Sequence, residues 1–346
     1  MAYTTIDDPT IYFNTVLWTG NGTDDRSITG VGFKPDWVWY KERSNVGDHT
    51  VHDIVRGAGE RLFTADTSAE SLDANSLQAF ESDGFQIGTN SDVNGNTETY
   101  VGWNWLAGGT ASSNTDGSIT SSVSASTTAG FSIVSWTGTG ANATVGHGLG
   151  VAPSMYIVKN REDNDSWGVY HKSLGATKYL RLQGNDAGAT SSVWWNDTEP
   201  TSSVFSVGTA VATNSSTENL IAYCFAEKKG YSKFGSYTGN GNADGTFVYT
   251  GFKPAWVMVK ESSGTSDWSM YDNKREPFNV ADSTLEANTG DAEAVVSGRP
   301  IDILSNGFKL RGDSSYTNES GATYIYMAFS EAPFVTAGTK AAGTAR

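Results

Sequence analysis

Residues 246–260 read TFVYTGFKPAWVMVK, and residues 28–41 of the same chain read ITGVGFKPDWVWYK. The phrase G-F-K-P-x-W-V therefore occurs twice, in distant parts of one polypeptide. Self-similarity of this kind indicates an internal repeat, and a repeat determines the fold more strongly than any single motif does. The first question about this sequence is how far the repeat extends.

The turn that precedes the phrase occurs three times. Trp136 follows Trp18 by 118 positions, and Tyr237 follows Trp136 by 101. The same two spacings separate three prolines and three lysines, Pro35, Pro153 and Pro254, and Lys41, Lys159 and Lys260. Each copy closes on an apolar segment, at 100–105, 220–225 and 324–329. The sequence therefore predicts one module used three times.

The composition favours an all-β fold. The chain has 39 glycines and 12% aromatic residues, and it has few long helix-forming runs. In the first copy we expect strands near 11–18, 28–33, 36–42, 50–55, 60–65, 76–81, 84–89 and 98–106. Short strands at this density are typical of a two-layer β-sandwich.

The repeats set the domain boundaries. We expect a first module at 1–109, a connector rich in Ser, Thr and Gly at 110–129, a second module at 130–230, and a third at 231–346 with a short tail. The connector is predicted to be flexible or loosely strand-forming. The second and third modules follow one another almost directly and should form a rigid pair. In the segment after each repeated proline, both alternating faces are apolar, which predicts a central strand covered on both sides. Trp37, Trp39 and their counterparts are then core residues.

Charge and composition exclude several classes of function. Lys and Arg number 23 against 38 Asp and Glu, a formal net charge of −15, which disfavours binding to nucleic acid. The chain lacks a run of about 20 apolar residues, and its first residues do not resemble a signal peptide, so we expect synthesis in a cytoplasm and no membrane insertion. The single cysteine, Cys224, cannot form an intramolecular disulfide.

The third copy carries a family resemblance. Residues 231–260, together with MYDNKREPFNV, LSNGFKLR and TYIYMAFSEAPF, resemble uncharacterised virion proteins of tailed bacteriophages of aquatic bacteria, including cyanophages. The resemblance is close over 231–334, clear over 12–109 and loose over 130–230. It implies three tandem β-sandwich modules of jelly-roll or concanavalin-like type, and a tail-fibre-like or capsid-decorating protein of the particle. It implies no catalytic site.

Catalytic and metal-binding motifs are scarce. His49 and His52 are interpreted as surface or capping residues, because strand geometry would turn them to different faces. Asp53 with Arg56, and Asp272 with Arg275, are interpreted as structural ion pairs, because the second copy has His171 and Leu174 there. We predict no cofactor. Oxygen-rich turns at 162–165 and 313–318 leave Ca²⁺ open, although neither forms a complete ligand loop.

Three functions remain open at this stage. The first is a virion structural protein, without enzymatic activity, that contacts other virion proteins and forms a homo-oligomer of unknown order. The second is a lectin-like module for host attachment that binds a surface glycan, and the third is a polysaccharide depolymerase.

The candidate glycan site is Val193-Trp194-Trp195-Asn196-Asp197. If this segment is a strand, only one of Trp194 and Trp195 can enter the core, and the other is exposed or covered by a neighbour. An exposed indole could stack on a sugar ring while Asn196 and Asp197 bind its hydroxyls. The alternative is that the second indole packs against another module or subunit.

Overall fold

The computed structural model describes residue 4, residues 6–336 and residues 343–344. Strands make up 43% of the chain and helices 4%, so the predicted all-β class is confirmed. A short 3-10 turn, Pro9–Ile11, precedes the first strand.

The elements of the first part of the chain are β1 Phe13–Thr19, β2 Arg26–Thr29, β3 Trp37–Glu42, β4 Thr50–Asp53, β5 Gly57–Phe63, β6 Ser71–Leu72, β7 Leu77–Glu81, β8 Gly84–Ile87, α1 Ser91–Asn94 and β9 Thr99–Trp105. The predicted strands of the first copy coincide with these strands to within a few residues. The two-residue strand β6 and the helical turn α1 were not predicted.

The elements of the middle part are β10 Ser112–Asn114, β11 Ser121–Ser126, β12 Phe131–Thr137, β13 Ala143–Gly146, β14 Met155–Asn160, β15 Gly168–His171, β16 Lys178–Arg181, β17 Ala189–Thr190, α2 Ser192–Trp195, β18 Val204–Val207, α3 Val211–Asn214 and β19 Asn219–Phe225. Those of the last part are β20 Ser232–Thr238, β21 Phe247–Tyr249, β22 Phe252–Glu261, β23 Ser269–Asp272, β24 Ser283–Glu286, β25 Ala294–Val295, β26 Ile301–Leu304, β27 Gly307–Leu310 and β28 Thr323–Pro333.

Three large sheets are built with the same strand order. The first large sheet runs β1-β9-β3-β4-β5-β6, and the third runs β20-β28-β22-β23-β24-β25. The second has the corresponding order β12-β19-β14-β15-β16-β17, and β11 and β10 extend it beyond β12. These two additional strands lie within residues 110–129. Each large sheet has a small sheet beside it: β2-β8-β7, β13-β18 and β21-β27-β26, respectively.

One hydrophobic cluster, here called the central core, contains side chains from all three large sheets. Trp37 of the first large sheet stacks on Tyr223 of the second, with ring centroids 4.5 Å apart. Trp105 of the first and Trp256 of the third lie 5.7 Å apart, and Phe225 of the second lies 6.0 Å from Phe329 of the third. The second and third large sheets therefore pack against each other, as expected, and the first large sheet packs against both of them.

Each large sheet uses its second face for a separate cluster against its own small sheet. In β3, Trp37 and Trp39 enter the central core, whereas Val38 and Tyr40 enter the cluster that includes Ile28 of the small sheet. The strands β14 and β22 alternate in the same way. This two-sided burial explains why both faces of these strands are apolar, and it confirms the predicted core position of the tryptophans.

The repeated prolines are all buried and stand at the start of these strands. Pro35 and Pro153 precede β3 and β14. Pro254 lies inside β22, where the pairing with β28 shifts register on either side of it. A bulge is one of the few places where a sheet accepts a residue without an N–H group. The three prolines therefore share one structural position.

We name the contacts between large sheets by the sheets they join: the first–second, second–third and third–first seams. In each seam the end of a strand of one sheet meets a strand of the next sheet. The end of β4 meets β19, the end of β15 meets β28, and the end of β23 meets β9. The three seams close a ring around the central core.

Candidate functional site

Asp53 and Arg56, the first of the two charged pairs that the sequence singled out, lie in the first–second seam. Asp53 and Arg56 form an ion pair with both side chains fully buried, so the predicted structural ion pair is confirmed. Tyr223 of the second large sheet donates its hydroxyl to Asp53 at 2.8 Å. Arg56 also contacts Glu70 at 2.9 Å, and Glu70 contacts Arg161 across the seam at 2.6 Å. The result is a chain of alternating charges that links two sheets.

The third–first seam repeats this chain residue for residue. Asp272 and Arg275 form a fully buried ion pair, and the indole N–H of Trp103 donates to Asp272 at 3.1 Å. Arg275 contacts Glu293 at 2.8 Å, and Glu293 contacts Arg43 of the first large sheet at 2.7 Å. Trp103 occupies the position in β9 that Tyr223 occupies in β19. Aspartate, arginine, glutamate and a second arginine thus recur in the same order.

The second–third seam closes without charges at these positions. His171 stands where the other seams have aspartate, and its Nε2 lies 3.3 Å from the carbonyl oxygen of Tyr326. Leu174 replaces the first arginine and packs against the central core. Trp268 donates its indole N–H to the carbonyl oxygens of Arg181 and Gly184, at 3.1 and 3.2 Å. The indole of Trp167 makes the same kind of bond in the first–second seam, to the carbonyl oxygen of Phe63 at 2.8 Å, so the buried chain of charges is what the second–third seam lacks.

The charged seams shift the pKa values of Arg56, Asp272 and Glu293 toward the ionised form of each group. Burial alone would lower the pKa of Arg56, but the neighbouring Asp53, Tyr223 and Glu70 outweigh it and raise that pKa. Burial would raise the pKa of Asp272, yet Arg275 holds it below its ordinary value. The pKa of Glu293 is likewise lowered, because hydrogen bonds and charges from Arg43 and Arg275 overcome its burial. Groups fixed in one ionisation state are suited to holding sheets together.

The two histidines of the first copy are not on the surface, so that interpretation was wrong. His49 is fully buried and accepts a hydrogen bond from the indole of Trp39 at 3.0 Å. His52 is fully buried too, and its Nδ1 lies 2.6 Å from the carbonyl oxygen of Ala58. Burial lowers the pKa of His52 to about 3, so the ring is neutral near pH 7. Within the described residues, no group of His, Cys, Asp or Glu is arranged to hold a metal.

The three repeated lysines are buried near the ends of β3, β14 and β22. Lys41, Lys159 and Lys260 each donate to the carbonyl oxygen of the following residue. Each also donates to a second carbonyl four residues further on, at 3.4, 3.0 and 3.5 Å, respectively. Burial lowers the pKa of all three to about 8. The three lysines close the loops that follow β3, β14 and β22.

The strand interpretation of Val193–Asp197 was wrong, and with it the premise of an exposed tryptophan. Residues Ser192–Trp195 form the helical turn α2. Trp195 is completely buried and Trp194 is 7% exposed, and both belong to the cluster between the second large and small sheets. A helical turn lets adjacent side chains enter one core, which a strand does not. Trp194 stacks on Tyr179 with centroids 4.0 Å apart.

The two polar residues of that candidate site remain on the surface. Asn196 and Asp197 follow α2 with φ of 52° and 47°, in the left-handed region, and both are exposed. Asn196 accepts a hydrogen bond from the side-chain amide of Asn142 at 2.7 Å. The indole that should have stacked on a sugar ring lies inside the protein, so the four residues do not form the expected constellation.

The two turns considered for Ca²⁺ have internal partners. In the turn 162–165, the carboxyl group of Asp163 donates a hydrogen bond to Glu218, and this bond and the charge of Glu218 raise the pKa of Asp163. In the turn 313–318, Asn318 is fully buried and donates to Gly312 and Asn242 carbonyls at 2.8 and 2.9 Å.

The sequence interpretation missed half of each charged chain. Arg43 and Arg161 stand two positions after the repeated lysines, where the third copy has Ser262. Glu70 and Glu293 occupy one equivalent position, and Gly188 holds it in the second copy. The signal was that two positions of the repeat vary together across the three copies. The glutamate of one copy pairs with the arginine of the next copy. Only a cyclic order of the copies makes this pattern visible.

The fold and the seams define an all-β protein whose three large sheets close around one core. The sequence profile of a family described as Domain of unknown function (DUF7483) matches residues 8–333, and the chain belongs to this family. No curated protein sequence is significantly similar to the chain. None of the described helices is long and apolar enough to cross a membrane.

Proposed function

We propose that this chain is a structural protein of a tailed-bacteriophage particle, either tail-fibre-like or decorating the capsid, and that it contacts other virion proteins there. The observation that supports the proposal most is the position of the buried charged residues. The buried Asp–Arg pairs and their Glu and Arg neighbours lie between the large sheets and join them. A building block of a particle needs this kind of rigidity.

The proposal includes three tandem β-sandwich modules of jelly-roll or concanavalin-like type, at 1–109, 130–230 and 231–346, with a connector at 110–129. A repeated asparagine supports this division. Asn94, Asn214 and Asn318 are fully buried. Their side-chain oxygens accept from the backbone N–H of Asn21, Thr139 and Asn240, in the repeated turns, at 3.0, 2.9 and 2.9 Å. The same clamp is used three times.

Exposed apolar side chains offer surfaces for contacts with virion proteins or with further copies of the chain. Leu72 in β6 and Val295 in β25 occupy equivalent places at the outer edges of two large sheets, and they are 72% and 69% exposed. Edge strands with exposed apolar side chains pair or pack readily with other chains. We propose a homo-oligomer assembled through such edges.

Location in the particle is the test of this function. Particles of a phage that encodes the chain would be purified on a density gradient, analysed by mass spectrometry, and labelled with antibodies for electron microscopy. The proposal predicts that the chain copurifies with infectious particles and that the label falls on the tail or the capsid. Recovery of the chain only from the unassembled fraction of the lysate would contradict it.

The proposal also states that the protein is not an enzyme. Pure protein incubated with host polysaccharide is expected to release no more reducing sugar than a heat-denatured sample. Release that one carboxylate substitution abolishes, in a variant that still folds, would identify a depolymerase and overturn this part of the proposal.

A further inference from the structure

One segment joins the large sheet to the small sheet in the middle part of the chain. Residues 118–126 run along the outer edge of β13 in the small sheet and then along the outer edge of β12 in the large sheet. The N–H of Ile119 donates to the carbonyl oxygen of Thr144 in β13 at 3.0 Å. Ser122 of β11 pairs with Ser135 of β12. We call residues 118–126 the bridging segment.

The two equivalent edges are open in the first part of the chain. β1 and β2 are the outermost strands of their sheets, and no other described strand pairs with their outer edges. Leu17 in β1 stands at the position of Ser135, and Ser27 in β2 stands at the position of Thr144. Both residues are exposed. The backbone groups of such an edge are available to an added strand.

The core residues behind this opening show what the bridging segment covers. In the middle part, Val145 is fully buried and belongs to the same cluster as Ile119, whereas the equivalent Ile28 is 4% exposed. Val134, beneath β11, is fully buried, and the equivalent Val16 is 8% exposed. The first part thus leaves exposed the surface that the bridging segment covers in the middle part.

The last part of the chain has the same opening. β20 and β21 are the outermost strands of their sheets. Ser236 stands at the position of Ser135, and Phe247 at that of Thr144. Ser236 is exposed, and Phe247 is 44% exposed. Aromatic side chains are enriched at protein interfaces, so this edge also suits a contact with another chain. We name the openings beside β1 and β2, and beside β20 and β21, the two open sides.

From this comparison we propose that each open side binds an extended segment of another polypeptide, in the way that the bridging segment closes the middle part. The added strand runs parallel to β2 or β21 and antiparallel to β1 or β20, because the bridging segment runs parallel to β13 and antiparallel to β12. Ile119 and Val123 indicate its chemistry: two β-branched apolar residues four positions apart, with small polar residues between them. Main-chain hydrogen bonds supply affinity, and these two side chains supply specificity.

The partner is a different protein rather than a second copy. The segment of this chain that has the required pattern already pairs within its own middle part, where attachment to the same chain favours it over a free competitor. The inference gives a place and a mode to the contact with other proteins proposed above. Its test uses the purified chain, so the result does not depend on where the protein is found.

The probe is the peptide GSITSSVS, which copies residues 117–124, added to the full chain labelled with ¹⁵N. We expect a dissociation constant on the order of millimolar, because ordering a free peptide opposes binding. The amide signals of Leu17, Ser27 and Ser236 should shift, and their hydrogen exchange should slow. The control peptide is methylated on the backbone nitrogens that copy Ile119 and Ser122, which face the two edges. It should bind about 10-fold more weakly.

A matched pair of variants tests the edges themselves. Gly20 and Gly239 donate to the neighbouring strand, so by alternation Leu17 and Ser236 direct their N–H groups outward. Leu17→Pro with Ser236→Pro removes these two N–H groups, and an outermost strand tolerates proline at such positions. This double variant should bind the peptide about 10-fold more weakly than the wild type. Leu17→Ala with Ser236→Ala keeps both N–H groups and should bind like the wild type.

Several results would overturn the proposal: no binding of the peptide, equal binding of the methylated peptide, or equal binding by the proline and alanine variants. Signal changes confined to β12 and β13 would show that the peptide only displaces the bridging segment. Self-association of the chain that the proline variant abolishes would assign the open sides to a second copy. The methylated peptide decides the matter even where the proline variant does not fold.

Discussion

The second–third seam lacks the buried Asp–Arg–Glu–Arg chain that the other two seams contain. The first–second and third–first seams use Asp, Arg, Glu and Arg, whereas the second–third seam uses His171, Leu174, Gly188 and Ser262 at the four equivalent positions. All three seams nevertheless close on the same central core. The charges are therefore not needed for burial itself.

The connections along the chain do not explain the difference. The second–third seam joins sheets that follow one another directly, since β19 ends at Phe225 and β20 begins at Ser232. The first and second large sheets also follow one another directly, since β9 ends at Trp105 and β10 begins at Ser112. We infer that the buried chains of charges fix the orientation of neighbouring sheets. Such specificity is the best attested use of buried polar groups, whose net contribution to stability is small.

Breaking one charged chain should have the largest effect. Arg275→Ala leaves Asp272 and Glu293 without their buried partner, so we expect a loss of about 3–5 kcal/mol in the free energy of unfolding. The measurement is denaturant unfolding followed by tryptophan fluorescence. Asp244→Ala is the control, because Asp244 is 80% exposed in its pair with Lys309 and should cost less than about 1 kcal/mol. Equal losses in the two variants would contradict a structural role for the buried chain.

Acid should weaken the second–third seam, where the buried His171 stands in place of an aspartate. Burial lowers the pKa of His171 to about 4 from 6.5, so the folded state keeps the ring neutral while the unfolded chain takes up a proton. This contribution is complete above pH 6.5 and is lost as the pH falls toward 4, on the order of 3 kcal/mol. Asp272 has a lowered pKa and keeps its charge through that window.

The variant that isolates this effect is His171→Gln. Stability curves between pH 4 and 7 should be flatter for the variant than for the wild type by about one proton. Lowering the pH from 7 to 5 should speed hydrogen exchange in β15 and β28 by more in the wild type than in the variant. A pH dependence unchanged by the substitution would show that His171 does not titrate as this account requires.

Replacing both members of the Asp53–Arg56 pair should destabilise the protein less than removing one member. Asp53→His with Arg56→Leu copies His171 and Leu174 into the first–second seam and leaves Glu70 paired with Arg161. We expect a loss of about 1–2 kcal/mol, because replacing both members of a buried pair is far milder than removing one. The comparison is Arg56→Leu alone, which should lose about 3–5 kcal/mol. A double variant less stable than the single one would refute the equivalence of the two solutions.

Single hydroxyl groups should give the smallest effect. Tyr223→Phe removes the hydrogen bond to Asp53, so we expect a loss of about 1 kcal/mol. Tyr231→Phe removes a buried hydroxyl that lacks a partner among the described residues, and it should be neutral or slightly stabilising. Thermal unfolding of both variants is sufficient to rank them, and the reverse order would contradict the hydrogen bonding of the seam.

Much of the fold could be predicted from the sequence, because a repeat displays its own register. The alternation in β3, β14 and β22 correctly indicated strands buried on both faces. The alternation could not indicate that one of those faces meets two other sheets, since apolar side chains look the same whichever sheet covers them. The strand prediction at Val193–Asp197 failed for a different reason: five residues are too few to distinguish a helical turn from a strand.

The site was predictable only in part. The pairs Asp53–Arg56 and Asp272–Arg275 are three positions apart, and their repetition made them visible. Glu70 and Arg161 are far apart in sequence and belong to different copies, so the pairing depends on the cyclic order of the sheets.

Scanning calorimetry of the full chain tests the closed ring most directly. Three large sheets that share one core and three seams should unfold together, in one transition whose calorimetric and van't Hoff enthalpies agree. Arg275→Ala should move that whole transition to lower temperature without splitting it. Two or three separate transitions in the wild-type protein, with Arg275→Ala shifting only one of them, would contradict the account.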